Sequence, residues 1–343
     1  MDEGASRTLV VIHPGSLGDV ILSLPALRGL RVAFPRHELI FLAGGEVGLL
    51  LKEAGEVDRV FPLERHVLAD LLQEPEALNE DLKSYLASCD VAVCWMRHGE
   101  SHIKAVLSRL GVARAIIMSP HASGLTSLHQ SDRFCETVRD VAVAPDRPVP
   151  LRLPHKTVAE GVRYLESLGG SPGRPPRRPI VLLHPGSGSR LKCCEPGLFV
   201  EALSHLRERD ATPVLLQGPA DEEQVTQVLR RWAKPLPVLK DLPLGLAAGV
   251  IAEADLYVGH DSGLTHLAAA LAVPTVALFG PTDVARWAPR GQNVIPLKGV
   301  TCVCEEWESV RACRDKPCLR IPVQALMEAC ELLLAQDGRG VSR

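Results

Sequence analysis

The sequence predicts an α/β protein made of two similar domains in tandem, each a parallel sheet with helices on both faces. Three observations lead there. Short apolar, β-branched runs alternate with stretches whose apolar residues recur every three or four positions. The runs are apolar throughout rather than at alternate residues, the pattern of strands buried on both faces. Finally, Leu9-Val10-Val11-Ile12-His13-Pro14-Gly15-Ser16 returns as Ile180-Val181-Leu182-Leu183-His184-Pro185-Gly186-Ser187, so each half opens on a strand and the same loop.

Between the two copies lies Gly169–Pro179 (GGSPGRPPRRP), too rich in Gly and Pro for the interior of an element. The expected boundaries are a first domain over 1–168, a linker over 169–179, a second domain over 180–321 and a terminal helical segment over 322–343.

In the first half, Thr8 to Ile12 is a strand. Asp19 then opens a helix whose Val20, Leu24, Leu27, Leu30 and Phe34 form one stripe, with Pro25 tolerated as an early-turn residue. Strands follow at 38–43, 57–61, 90–95 and 114–118, with helical segments near 45–54 and 67–87. The stretch 119–154 shows no regular order. The second half reads as strands at 180–183, 213–217, 256–258 and 275–279, with helices near 196–209, 221–232, 243–253 and 264–271. After Phe279 the chain turns irregular, then ends in a helix over 322–335 with Val323, Leu326, Ala329, Cys330 and Leu333 on one face.

Composition sets the class. The 343 residues are 46% hydrophobic with a formal net charge of −3, which gives no reason to expect a nucleic-acid partner. No apolar run approaches the ~20 residues of a membrane span. The N-terminal MDEGASR lacks the basic and apolar parts of a signal peptide. The expected compartment is the cytoplasm, with peripheral contact to a membrane left open. Ten cysteines in such a chain read as thiols or metal ligands rather than disulfides. Cys302, Cys304, Cys313 and Cys318 cluster, but not at a standard finger spacing, so a structural zinc and a group of plain thiols both stay open.

The stretch Ala254–Asp283 carries the clearest chemistry. The loop Gly259-His260-Asp261-Ser262-Gly263 joins a buried strand to a helix, leaving helix-start N–H groups without partners beside about half a positive charge. A diphosphate fits such a point, and His266 lies within reach. Helix capping by Asp261 or Ser262 explains the same residues. The loops at 13–19, 184–192, 217–223 and 259–266 all follow strands, where open parallel sheets bind ligands.

These residues resemble glycosyltransferase family 9, the heptosyltransferases of lipopolysaccharide core synthesis. The resemblance rests on Ser16-Leu17-Gly18-Asp19-Val20 with Leu24-Pro25-Ala26-Leu27, His184-Pro185-Gly186-Ser187 with Lys192, and Gly218 with Glu222-Glu223. It rests further on Asp261-Ser262-Gly263-Leu264-Thr265-His266-Leu267 and Phe279-Gly280-Pro281-Thr282-Asp283. It implies a GT-B fold: two Rossmann-like domains facing a central cleft, the first for the acceptor and the second for a nucleotide sugar, with the last helix packed back on the first domain. The implied donor is ADP-heptose and the implied acceptor an inner-core sugar on lipid A. Transfer would invert the anomeric carbon without a catalytic metal. The chain departs from the family pattern at His13, Cys194 and His260, where arginine, tryptophan and asparagine are common.

The resemblance assigns Asp19 as the base that deprotonates the acceptor. A plain N-terminal helix acid would look the same, and its charge suits the helix dipole in either role. Lys192 and Ser187, with the backbone around Gly188, would meet the departing diphosphate. So would the N–H groups of Ser262, Gly263 and Leu264, with Thr265 and His266. Glu222 would accept from the ribose hydroxyls, and Asp261 would hold a sugar hydroxyl. Other readings are a transferase of the same fold using another donor or acceptor, and a nucleotide-binding protein without turnover. A nicotinamide-dependent dehydrogenase is disfavoured, because neither Gly15-x-x-Gly18 nor Gly186-x-Gly188 completes G-x-G-x-x-G.

Overall fold

Strands with no polar face need cover on both sides, and the chain supplies it twice. The computed structural model describes residues 7–73, 75–96, 100–119, 128–168, 178–302, 304 and 307–336. Contacts divide it into two units, residues 1–152 and 153–343.

The first unit runs β1 (Thr8–Ile12), α1 (Leu17–Ala33), β2 (Glu38–Ala43), α2 (Gly45–Glu53), β3 (Arg59–Pro62), α3 (Arg65–Gln73), α4 (Glu80–Ala87), β4 (Cys89–Cys94), α5 (Glu100–Arg109), β5 (Arg114–Ile117) and α6 (Gln130–Val138). Its five strands are parallel in the order β3-β2-β1-β4-β5. Chain order therefore reverses beside β1, and the loop after β1 opens at that reversal. Pro25 is the ninth residue of α1, past the early turns expected for it. The helix runs through it, and the Ile21 carbonyl loses its usual helical donor.

The second unit runs α7 (His155–Ser167), β6 (Ile180–His184), α8 (Pro196–Glu208), β7 (Thr212–Gln217), α9 (Glu222–Arg231), β8 (Val238–Lys240), α10 (Leu244–Ala252), β9 (Leu256–His260), α11 (Gly263–Ala270), β10 (Thr275–Phe279), α12 (Val284–Trp287), β11 (Val294–Lys298), α13 (Trp307–Ala312) and α14 (Val323–Gln336). Six parallel strands lie in the order β11-β10-β9-β6-β7-β8. The order reverses between β6 and β9, which is where a doubly wound sheet opens its ligand crevice. Both edge strands escaped the sequence reading. β8 has three residues, and β11 carries Pro296, tolerable on an edge where one side needs no ladder bond.

Two placements differ from the expected boundaries. Sequence put α7 in the first domain, yet it packs on α10 of the second unit. The crossing is backbone on backbone: a Cβ at Gly161 would sit 2.2 Å from the Gly249 carbonyl carbon, and one at Gly249 would sit 2.3 Å from the Thr157 carbonyl oxygen. Helix α14, expected to return to the first domain, lies on α8 and on β9, β10 and β11. There Leu326, Met327, Cys330 and Leu333 join the second unit's core. Apart from residues 178 and 179, the Gly/Pro-rich linker is outside the described residues.

Candidate functional site

The reversal in the second sheet brings together the two loops that the sequence singled out. β6 ends at His184 and β9 at His260, and these strands are hydrogen-bonded neighbours. Beyond them, the Ser187 hydroxyl donates to the Asp261 carbonyl at 2.8 Å, which ties loop to loop.

Asp261 is the hub. Its side chain is 6% exposed, and its Oδ2 accepts from Lys192 Nζ and from the Thr282 hydroxyl, each at 2.8 Å. His266 Nε2 lies 3.8 Å from Oδ1. Burial alone would raise this carboxyl's pKa, but His266 and Lys192 hold it well below the usual carboxylate range. Lys192 gives one of its three N–H groups to Asp261, so two stay available to an anion. Lys298 Nζ donates to the Thr282 carbonyl at 3.1 Å and steadies that corner.

Beside the hub, α11 begins with Ser262 as its N-cap. The Thr265 N–H points to the Ser262 hydroxyl and the His266 N–H to the Ser262 carbonyl. Those of Ser262, Gly263 and Leu264 have no acceptor among the described residues. Three open amides at a helix start, next to a lysine, are donors of the kind an anion needs, which makes this the candidate anion site. Thr265 belongs to the frame instead, because its buried hydroxyl donates to the His260 carbonyl at 2.5 Å.

A second buried chain supports this site, and no spacing in the sequence announced it. His184 Nε2 meets Asp221 Oδ2 at 2.8 Å, and His184 Nδ1 lies 3.4 Å from the Ser262 hydroxyl. Burial would raise the Asp221 pKa, yet the bond from His184 lowers it on balance. Asp221 also accepts from the Gly218 N–H at 2.9 Å, linking a third strand-end loop. Gly186 cannot be replaced here, since a Cβ would lie 1.9 Å from Asp221 Oδ1. Glu222 is exposed, 3.8 Å from Lys240, and borders an open groove of about 450 Å³ with Arg190, Pro219, Ala220, Glu223 and Arg230. Gly188 stands at the loop's outer bend with open space where a Cβ would be.

The two departures from the family pattern in this unit meet each other. His260 Nε2 accepts from the Cys194 N–H at 2.8 Å. Burial, followed by repulsion from His184, pushes the His260 pKa down to about 4, against about 6.5 for a free imidazole. The folded chain thus disfavours the imidazolium, and the stability gained is complete above pH 6.5 and lost as pH falls toward 4. Between pH 7 and pH 4.5, urea unfolding of the wild type is expected to lose about 2 kcal/mol more than that of His260→Asn. Equal losses in the two proteins would remove His260 as the cause.

In the first unit, Asp19 stands half-buried in the first turn of α1, where its Oδ2 accepts from the Ser16 hydroxyl at 2.9 Å and the Ser16 N–H at 3.2 Å. The carboxylate caps its helix and keeps Oδ1 for another partner. His13, at the end of the same strand, is a core residue packed among Phe41, Trp95 and Phe134. Cys302, Cys304 and Cys313 also come together, with their sulfurs within 4.8 Å of one another. No described helix is long and apolar enough to cross a membrane.

Residues 155–319, which hold the whole candidate anion site, match the glycosyltransferase family 9 (heptosyltransferase) family. Lipopolysaccharide heptosyltransferase 2 of Salmonella typhimurium is 26% identical over 308 residues, covering 80% of this chain and 83% of that protein. Lipopolysaccharide heptosyltransferase 3 of Escherichia coli is 27% identical over 172 residues, so the chain spans about half the length of that relative, 48%. The solved structure of E. coli ADP-heptose lps heptosyltransferase II superposes with a TM-score of 0.73 at 19% identity, covering 96% of this chain and 99% of that one. Its fold is the one expected here, two parallel-sheet α/β units of the GT-B class. The match to glycosyltransferase family 9, the family of the heptosyltransferases, thus covers just under half of the chain, all of it in the second unit.

Proposed function

We propose that this protein transfers a heptose from ADP-heptose to an inner-core sugar of lipopolysaccharide, inverting the anomeric carbon and using no catalytic metal. The observation that carries the reading is the reversal point of the second sheet, where three unpartnered amides adjoin Lys192 and a buried Asp261. The choice of donor and acceptor follows the relatives' names.

In this reading Asp19 takes the proton from an acceptor hydroxyl as that oxygen attacks the anomeric carbon. The bond to the diphosphate breaks, and negative charge grows on the leaving oxygen. Fixed donors meet it: the N–H groups of Ser262, Gly263 and Leu264, and the two free N–H groups of Lys192. Because Asp261, itself bonded by the Thr282 hydroxyl, already holds Lys192 in place, little reorganisation is needed when the charge develops. Asp261 keeps Oδ1 for a donor sugar hydroxyl, while Glu222 takes the ribose hydroxyls as a carboxylate acceptor. A lipid A-core acceptor would bring the protein to the cytoplasmic face of the inner membrane.

Two measurements test this. ADP is expected to raise the thermal midpoint and UDP to leave it unchanged, since binding the native state alone stabilises it. Mass spectrometry with ADP-heptose and truncated core acceptors should show addition of one heptose. Equal stabilisation by UDP, or transfer only from a different nucleotide sugar, overturns the donor assignment.

A further inference from the structure

We propose that Cys302, Cys304, Cys313 and Cys318 hold one zinc ion, and that this knuckle braces the two loops that position Lys192 and Thr282. The sulfur geometry comes first. Cys302 Sγ lies 3.0 Å from Cys304 Sγ and 4.0 Å from Cys313 Sγ, and all three sulfurs fall within 4.8 Å. A tetrahedral ion with zinc–sulfur bonds of about 2.3 Å needs its sulfurs about 3.8 Å apart. Cys318, 3% exposed on the turn Pro317–Leu319, lines the same small cavity as the other three. All four are free thiols. Four thiolates suit a soft d-block ion rather than calcium or magnesium, and closed four-sulfur sites are structural.

The surrounding segment lacks the means to hold itself. From Gly299 to Ile321 its described regular structure is the short helix α13 and one 3₁₀ turn. Among the described residues there, only Val310, Leu319 and Ile321 join Cys318 as buried apolar side chains. A strap with so little core is the setting in which metal binding supplies the missing fixation.

The bracing follows from what the strap touches. The cysteine cavity is walled by Leu191, of the Arg190–Lys192 turn, and by Pro281, next to Thr282. Leu319 seats on Gly280 so closely that a Cβ there would lie 2.3 Å from its Cδ2. The strap departs from Lys298, which already bonds the Thr282 carbonyl. Both arms that reach Asp261 thus rest on the knuckle, which stands apart from the reacting groups.

The test uses the full chain, purified without added metal and dialysed. Elemental analysis is expected to find about one zinc per chain, lost in the Cys302→Ser, Cys313→Ser double variant. Should that variant fail to fold, an organomercurial titration of the wild type reads the same site, releasing its zinc as four thiols react. Zinc removal is expected to speed hydrogen exchange about tenfold at residues 189–193 and 280–283 and to leave β1 to β5 unchanged. Absence of metal, or four thiols that react freely without releasing any, overturns the site, and iron in place of zinc overturns the ion. Unchanged exchange in the two loops after zinc removal overturns the bracing. None of these readouts depends on the identity of the sugar donor.

Discussion

Asp19→Asn is expected to lower the rate of sugar transfer by about 10²- to 10⁴-fold, the usual contribution of a positioned general base, while ADP affinity stays at the wild-type value. The substitution separates catalysis from capping. An asparagine oxygen can still accept from the Ser16 hydroxyl and N–H, so the start of α1 is preserved. It cannot take a proton from an acceptor. Single-turnover rates and calorimetric ADP binding check the two halves of the expectation. A capping residue would give the opposite result, a small loss of thermal stability with transfer near the wild-type rate.

Asp261→Ala is expected to destabilise the second unit by about 3 kcal/mol, the lower end of the range for removing one partner of a buried ion pair. The lower end applies because the Lys192 side chain keeps 22% exposure and can reach water, whereas that of Asp261 is 6% exposed. The Thr282 hydroxyl loses its acceptor in the same step. Asp261→Asn should cost less, since the amide oxygen still accepts from Thr282. The sign with pH is fixed as well. A carboxylate held below its usual range adds stability that is present at neutral pH and lost only as the solution drops below pH 4. Denaturant unfolding of both variants at neutral pH measures the difference, and an alanine variant as stable as the wild type would show that the hub is solvated.

Much of this was legible in the sequence, and the exceptions have physical causes. The strands β1, β2, β6, β9 and β10 were readable because burial on both faces keeps them apolar except at their ends. β11 was not, because Pro296 argues against a strand unless its edge position is known. The Ser262-Gly263-Leu264 amides were predictable, since a strand–loop–helix junction always leaves such groups open. The engagement of Thr265 with His260, and of His184 with Asp221, depends on partners brought together by the sheet order. Gly161 stands inside α7 with no neighbour in the sequence that calls for a glycine. Its purpose shows only against Gly249.

That pair of glycines bears on how the chain acquires its shape during synthesis. Helix α7 leaves the ribosome well before α10, with three strands of the second sheet still to be made between them. Domains tend to fold as they emerge, so the first half can close while α7 waits without its mate. Long-range closure of this kind is slow, and the second half completes itself around a helix delivered in advance.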